Sequence, residues 1–98
     1  MIKISYEEGT FLTVLEKEYG KKFIKDITPD LIRKTLKPGQ RGIVYGQKKG
    51  SNLGHVFNVI NENGIIKFLD GQKVVKKTAD TQKADLIYDY YEFLPTNF

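Results

Sequence analysis

The chain holds one histidine, His55, and no cysteine. Any proton transfer near neutral pH therefore centres on His55, and any thiol must come from elsewhere. Two residues that could serve this imidazole, Asp70 and Gln72, follow it across a turn. Asn63-Gly64 stands between two apolar runs, 55–62 and 65–72, and predicts a two-residue hairpin turn. Such a turn fixes the register: Glu62 faces Ile65, Asn61 faces Ile66, Val59 faces Phe68, Phe57 faces Asp70 and His55 faces Gln72. Side chains alternate along a strand, so His55, Phe57, Val59, Phe68, Asp70 and Gln72 share one face. Asp70 is the diagonal neighbour of His55, about 7–8 Å away between Cα atoms before the side chains reach toward each other. A carboxylate or amide at that range orients an imidazole and selects its tautomer. The same residues also fit a polar rim above a core of Phe57, Val59 and Phe68.

Cations stand close by in sequence. Lys48 and Lys49 lie in a polar loop, 46–54, just before His55, and Arg41 adds positive charge nearby in sequence. A reaction at phosphate needs such charge for the developing anion. Tyr45, Tyr88, Tyr90 and Tyr91 offer faces on which bases stack, or simply alternate in core strands. The expected substrate-binding residues are Lys48, Lys49, Arg41 and Tyr45.

These residues need elements to hold them. The spacing predicts a helix over 10–19, with Phe11, Val14, Leu15 and Tyr19 on one stripe, and a second over 29–36, with Thr28 as N-cap, Pro29 in its first turn and Leu31, Ile32 and Leu36 on its buried side. Strands are expected at 42–45, 55–62, 65–72 and 86–94. The fold expected is α+β, two N-terminal helices packed on an antiparallel sheet, in a single domain spanning 1–98.

Composition narrows the chemistry. The 98 residues include sixteen Lys and Arg against twelve Asp and Glu, a formal net charge of +4 that favours an anionic partner. The absence of cysteine removes disulfide frameworks and zinc ribbons, and a single histidine removes a two-histidine metal site. The Asp and Glu residues show no ligand spacing, so no metal or cofactor is expected. No apolar run approaches the roughly 20 residues of a membrane span, and the N-terminus has no signal-peptide core. If the protein is exported, another segment or partner must do the exporting.

The stretch Gly54-His55-Val56-Phe57-Asn58-Val59-Ile60-Asn61 with Ile65-Ile66-Lys67-Phe68-Leu69-Asp70-Gly71-Gln72 resembles the papain-fold toxins of bacterial polymorphic and contact-dependent growth inhibition systems. Residues 14–23, 41–46 and 93–97 are similar to that family too, in the same order. The resemblance implies a reduced papain-like core, with His55 as the family histidine, Asp70 as the residue that orients it and Gln72 as a neighbouring polar group. The family's nucleophilic cysteine, which precedes the first matched segment, has no counterpart here.

Three functions follow. The leading expectation is a metal-independent ribonuclease toxin acting on transfer RNA, with elongation factor Tu as a possible helper, because RNA cleavage uses the substrate's own 2′-hydroxyl and needs no protein nucleophile. The alternative is a papain-like glutamine deamidase or peptidase toxin whose cysteine segment lies outside this chain. The third is a non-catalytic remnant that only binds a partner. A toxin further implies a cognate immunity protein, and delivery as part of a larger secreted or cell-surface protein into the target-cell cytoplasm.

Overall fold

The computed structural model describes residues 8–51, 54–74, 81–83 and 86–97. Two helices, α1 (Glu8–Tyr19) and α2 (Pro29–Thr35), precede five strands: β1 (Arg41–Gln47), β2 (Gly54–Glu62), β3 (Ile65–Val74), β4 (Thr81–Lys83) and β5 (Tyr90–Pro95). The fold is α+β. The strands form one sheet in the order β4-β3-β2-β1-β5, antiparallel at each pairing.

The β2–β3 hairpin is set locally. Asn63 and Gly64 have φ of 55° and 94°, the pair of positive values a type I′ turn requires. Asn61 fastens the turn, its Oδ1 accepting from Gly64 N at 2.7 Å. The resulting register runs from Glu62↔Ile65 through Asn61↔Ile66 and Val59↔Phe68 to Asn58↔Leu69, as the two-residue turn dictates. Past that point the expected pairs Phe57–Asp70 and His55–Gln72 are not part of the ladder. Against β4, β3 is irregular between Asp70 and Val74, and such an interruption re-aims nearby side chains.

Both faces of the sheet are covered. On one, Val44, Phe57, Val59, Phe68, Tyr91 and Phe93 form a cluster with Ile27, Ile32 and Leu36, the last two from α2 and its C-cap. On the other, Ile43, Tyr45, Val56 and Leu94 gather with Phe23, and Leu12 and Leu15 of α1 pack against them. Burial on both faces explains why 42–46 of β1 are buried without alternation.

The helices depart from their expected stripes. Leu12 and Leu15 of α1 turn inward, while Val14 and Tyr19 are exposed. In α2, Leu31 is exposed and Ile32 fully buried. Short helices take their orientation from packing rather than from period. The expected cap is present: Thr28 is extended (φ −104°, ψ 155°) and its Oγ1 accepts from Leu31 N at 3.1 Å. Thr28→Ala is expected to lower stability by about 1 kcal/mol, read as a shifted urea midpoint at unchanged slope.

The expected strand over 86–94 begins later. Residues 86–89 lie outside β5 and fold over the end of β1, where Asp89 N donates to Gln47 O at 3.1 Å and Asp89 Oδ2 accepts from Lys49 N at 2.7 Å. Alternating tyrosines suggested a strand there, but these contacts hold an irregular segment instead. Just before α2, Ile24 bridges Phe93, so the chain between the helices lies along β5.

Candidate active site

His55 is the second residue of β2, and Asp70 is the sixth of the ten residues of β3. Alternation puts both on the face that carries Phe57, Val59 and Phe68. The structure brings their side chains together: His55 Nε2 stands 2.5 Å from Asp70 Oδ2. The Asp70 side chain is 2% exposed and that of His55 is 23% exposed. The carboxylate is thus shut away from water, while the imidazole stays partly exposed.

This geometry assigns the two ring nitrogens. A carboxylate accepts, so the nitrogen bonded to it carries the proton. In the neutral ring Nε2–H donates to Asp70, and Nδ1 holds the lone pair. The arrangement therefore has a base nitrogen at Nδ1, an orienting acid at Asp70 and a fixed tautomer between them.

An aromatic group surrounds the imidazole. Phe57, two residues along β2, lies with its ring centroid 6.0 Å from that of His55 and an interplanar angle of 28°. Tyr88, from the segment over β1, is 6.4 Å away at 25°. Tyr88 also stacks on Phe57 at 6.2 Å and meets Tyr91 edge-on at 6.0 Å. The sequence contains Tyr88 as one of several tyrosines. What singles it out is Gly46, which pairs with His55 across β1–β2 and leaves room above the strand.

The other expected residues divide. Lys48 and Lys49 are exposed in the turn beyond β1, at the end of the sheet where Gln47 pairs with Gly54, next to His55. They help line a shallow groove of about 330 Å³ with Gln47, Gly50, Asp89 and Tyr90. Arg41 is at the opposite end: it pairs with Ile60, about 17 Å along β1 from the residue that faces His55. Its backbone N donates to Asn97 Oδ1 at 2.6 Å, a contact that ties the C-terminal residues to the sheet. Tyr45 lies on the opposite face, 3% exposed, its ring so close to Gly54 that no side chain fits there. Its phenol donates to Gln47 Oε1 at 3.2 Å. A ring packed into that core cannot stack on a substrate at His55, so Tyr45 and Arg41 are not brought to the site. The Gln72 side chain lies outside the described residues.

A cation that sequence spacing did not suggest is on the His55 face. Arg33 of α2 lies over the Phe68 ring, 5.2 Å from its centroid, and pairs with Asp30 at 2.7 Å. On the far face, the Tyr90 phenol donates to Glu92 Oε2 at 2.6 Å, and its pKa is pushed up to about 12 by burial first and by that carboxylate second. Glu92 is itself buried, so this pair belongs to the core beneath α1 rather than to the His55 site.

Among the described residues no group of three His, Cys, Asp or Glu side chains is placed to hold a metal ion, and no helix is long and apolar enough to cross a membrane. No curated protein and no solved structure matches the chain. A family model described as papain fold toxin 1, glutamine deamidase, matches residues 6–74, a stretch that contains both helices, the hairpin and the His55–Asp70 pair. That match spans well over half of the sequence, and the chain belongs to this family of papain-fold toxins.

Proposed function

We propose that this chain is the proton-transfer part of a toxin domain that hydrolyses a side-chain amide of a target-cell protein, glutamine being the residue named by the family description. The observation that carries the reading is the bond between His55 Nε2 and the buried Asp70 carboxylate. A nucleophile adds to the amide carbon and gives its proton to His55 Nδ1. The imidazolium so formed is stabilised by Asp70. It then returns the proton to the departing nitrogen, which leaves as ammonia. The 98 residues contain no thiol. The nucleophile is therefore water, or a cysteine brought by residues outside them, in which case a water activated by His55 then hydrolyses the resulting thioester and frees the thiol. In this reading the two helices and the hairpin are a reduced papain-like core, delivered within a larger protein into the target cell. A cognate immunity protein covers the His55 face or the Lys48-Lys49 loop.

A second reading has its own support. The missing cysteine and the net charge of +4 favour RNA, whose 2′-hydroxyl is an internal nucleophile. His55 then serves as base or acid, with Lys48, Lys49 or Arg33 near the phosphates. Its finer form is cleavage of transfer RNA with elongation factor Tu as helper.

One experiment separates them. The chain and its His55→Ala variant are expressed in bacteria, and growth, RNA integrity and protein masses are followed together. The amide reading expects arrest with intact RNA, and conversion of a glutamine to glutamate in a cellular protein, both lost with His55→Ala. Discrete RNA fragments that vanish with His55→Ala would overturn it in favour of the nuclease. Arrest by neither form would rule out water as the nucleophile.

A further inference from the structure

We infer that Tyr88 is the positioning residue that fixes the plane of the His55 ring, and that Gly46 is glycine in order to admit it. The inference rests on the proton-transfer reading of His55 but not on the identity of the substrate.

The bond to Asp70 restrains one point of the imidazole. A ring held only through Nε2 can still swing about that contact, and Nδ1 swings with it. Fixing the plane requires contacts on the ring faces. Phe57 and Tyr88 both lie within 30° of the imidazole plane, at 6.0 and 6.4 Å between centroids. Phe57 is part of the buried core and arrives from His55's own strand. Tyr88 arrives from a separate segment that is fastened for the purpose. Its backbone N donates to the Tyr91 phenol at 3.2 Å, and its ring meets the Tyr91 ring at 90°. The next residue is tied to Gln47 and Lys49.

Gly46 supplies the second, independent observation. A Cβ at this position would stand 2.6 Å from Tyr88 Cδ2 and 2.7 Å from Cγ, inside van der Waals contact. No L side chain fits there without displacing the ring. Gly46 has no positive φ to explain it and, one residue before the end of β1, is still paired on both sides, with His55 and with Tyr91, where glycine is otherwise unfavourable. The space it leaves is filled by the tyrosine. Tyr88 also lies beyond residue 74, where the family match ends.

The sole histidine makes the test direct, because every imidazole signal in an NMR spectrum of the whole chain belongs to His55. The Nε2–H proton is observable when its bond to Asp70 is ordered and sheltered from water. Wild type and Tyr88→Phe are expected to show it. Tyr88→Leu keeps the apolar bulk but not the flat ring, and Gly46→Ala pushes the ring aside. Both are expected to lose the resonance to exchange while the backbone spectrum stays native. The Gly46→Ala/Tyr88→Leu double variant is expected to be no worse than either single one, since both remove the same contact. Whatever activity His55 supports should fall about 10- to 100-fold in these variants and return with Tyr88→Phe. An unchanged resonance in a folded Tyr88→Leu protein would overturn the inference, as would losses in the two single variants that simply add. Because the resonance is read without substrate, either result is independent of whether the target is an amide or an RNA.

Discussion

Replacing Asp70 with asparagine should disable the protein almost as thoroughly as removing His55. The carboxylate at 2.5 Å accepts from Nε2–H and leaves Nδ1 unprotonated. An amide of the same shape can turn its NH2 group to Nε2 and favour the opposite tautomer, with the proton on Nδ1, and with its oxygen there instead it lacks the charge that stabilises the imidazolium. A base nitrogen that already carries its proton cannot accept another. The expected fall in rate for Asp70→Asn is up to about 10⁴-fold. For His55→Ala it is about 10²- to 10⁴-fold. Initial rates on the substrate identified in the growth experiment measure both, with circular dichroism confirming the fold. The double variant should be no slower than the slower single one, because the two side chains act as a unit. Additive losses would mean that Asp70 works on something other than His55.

The largest effect on stability is expected at Phe57. This side chain is 2% exposed and lies between the site and the core, with aromatic contacts to His55, Phe68 and Tyr88. Phe57→Ala removes a ring from a space that close neighbours on two strands and a fixed loop cannot easily collapse into. The expected cost is about 3–5 kcal/mol. A domain of this size has only about 5–15 kcal/mol in hand, so the variant should unfold at much lower urea and lose activity through the fold. A cost below about 1 kcal/mol in urea titration would show that Phe57 is not the centre of the cluster.

The parts of this structure that could be read from sequence are those set by neighbours in the chain. Asn63-Gly64 imposed a turn, the turn imposed a register, and the register put His55 and Asp70 on one face. Thr28 and Pro29 marked the start of α2 for the same local reason. The errors arise where distant residues decide. By residue type alone Tyr45 is one of four tyrosines that could offer a stacking face. β1 is covered on both sides, and Tyr45 belongs to the second core. Arg41 is near Lys48 in sequence but at the other end of an extended strand. Val14 was expected inside and lies outside, because the partners of α1 come from β1, β2 and β5 and not from its own period. Nothing in the sequence separates Tyr88 from its neighbouring tyrosines, because the gap above Gly46 exists only once distant segments pack together.

The strand order also sets when the site can exist. β2 and β3 pair across a two-residue turn, and β1 adds to them from the preceding segment, so most of the sheet assembles from near neighbours. β5 does not. It is the furthest along the chain of the described strands, yet it pairs with β1, and its Phe93 bridges Ile24, between the two helices. Until it docks, β1 is an open edge and Phe93 is missing from the core. Tyr88 precedes β5 immediately and cannot settle over His55 before it. A ribosome that has made the first four strands therefore carries a hairpin but no finished site. The site is complete only once residues 86–95 have folded back onto β1.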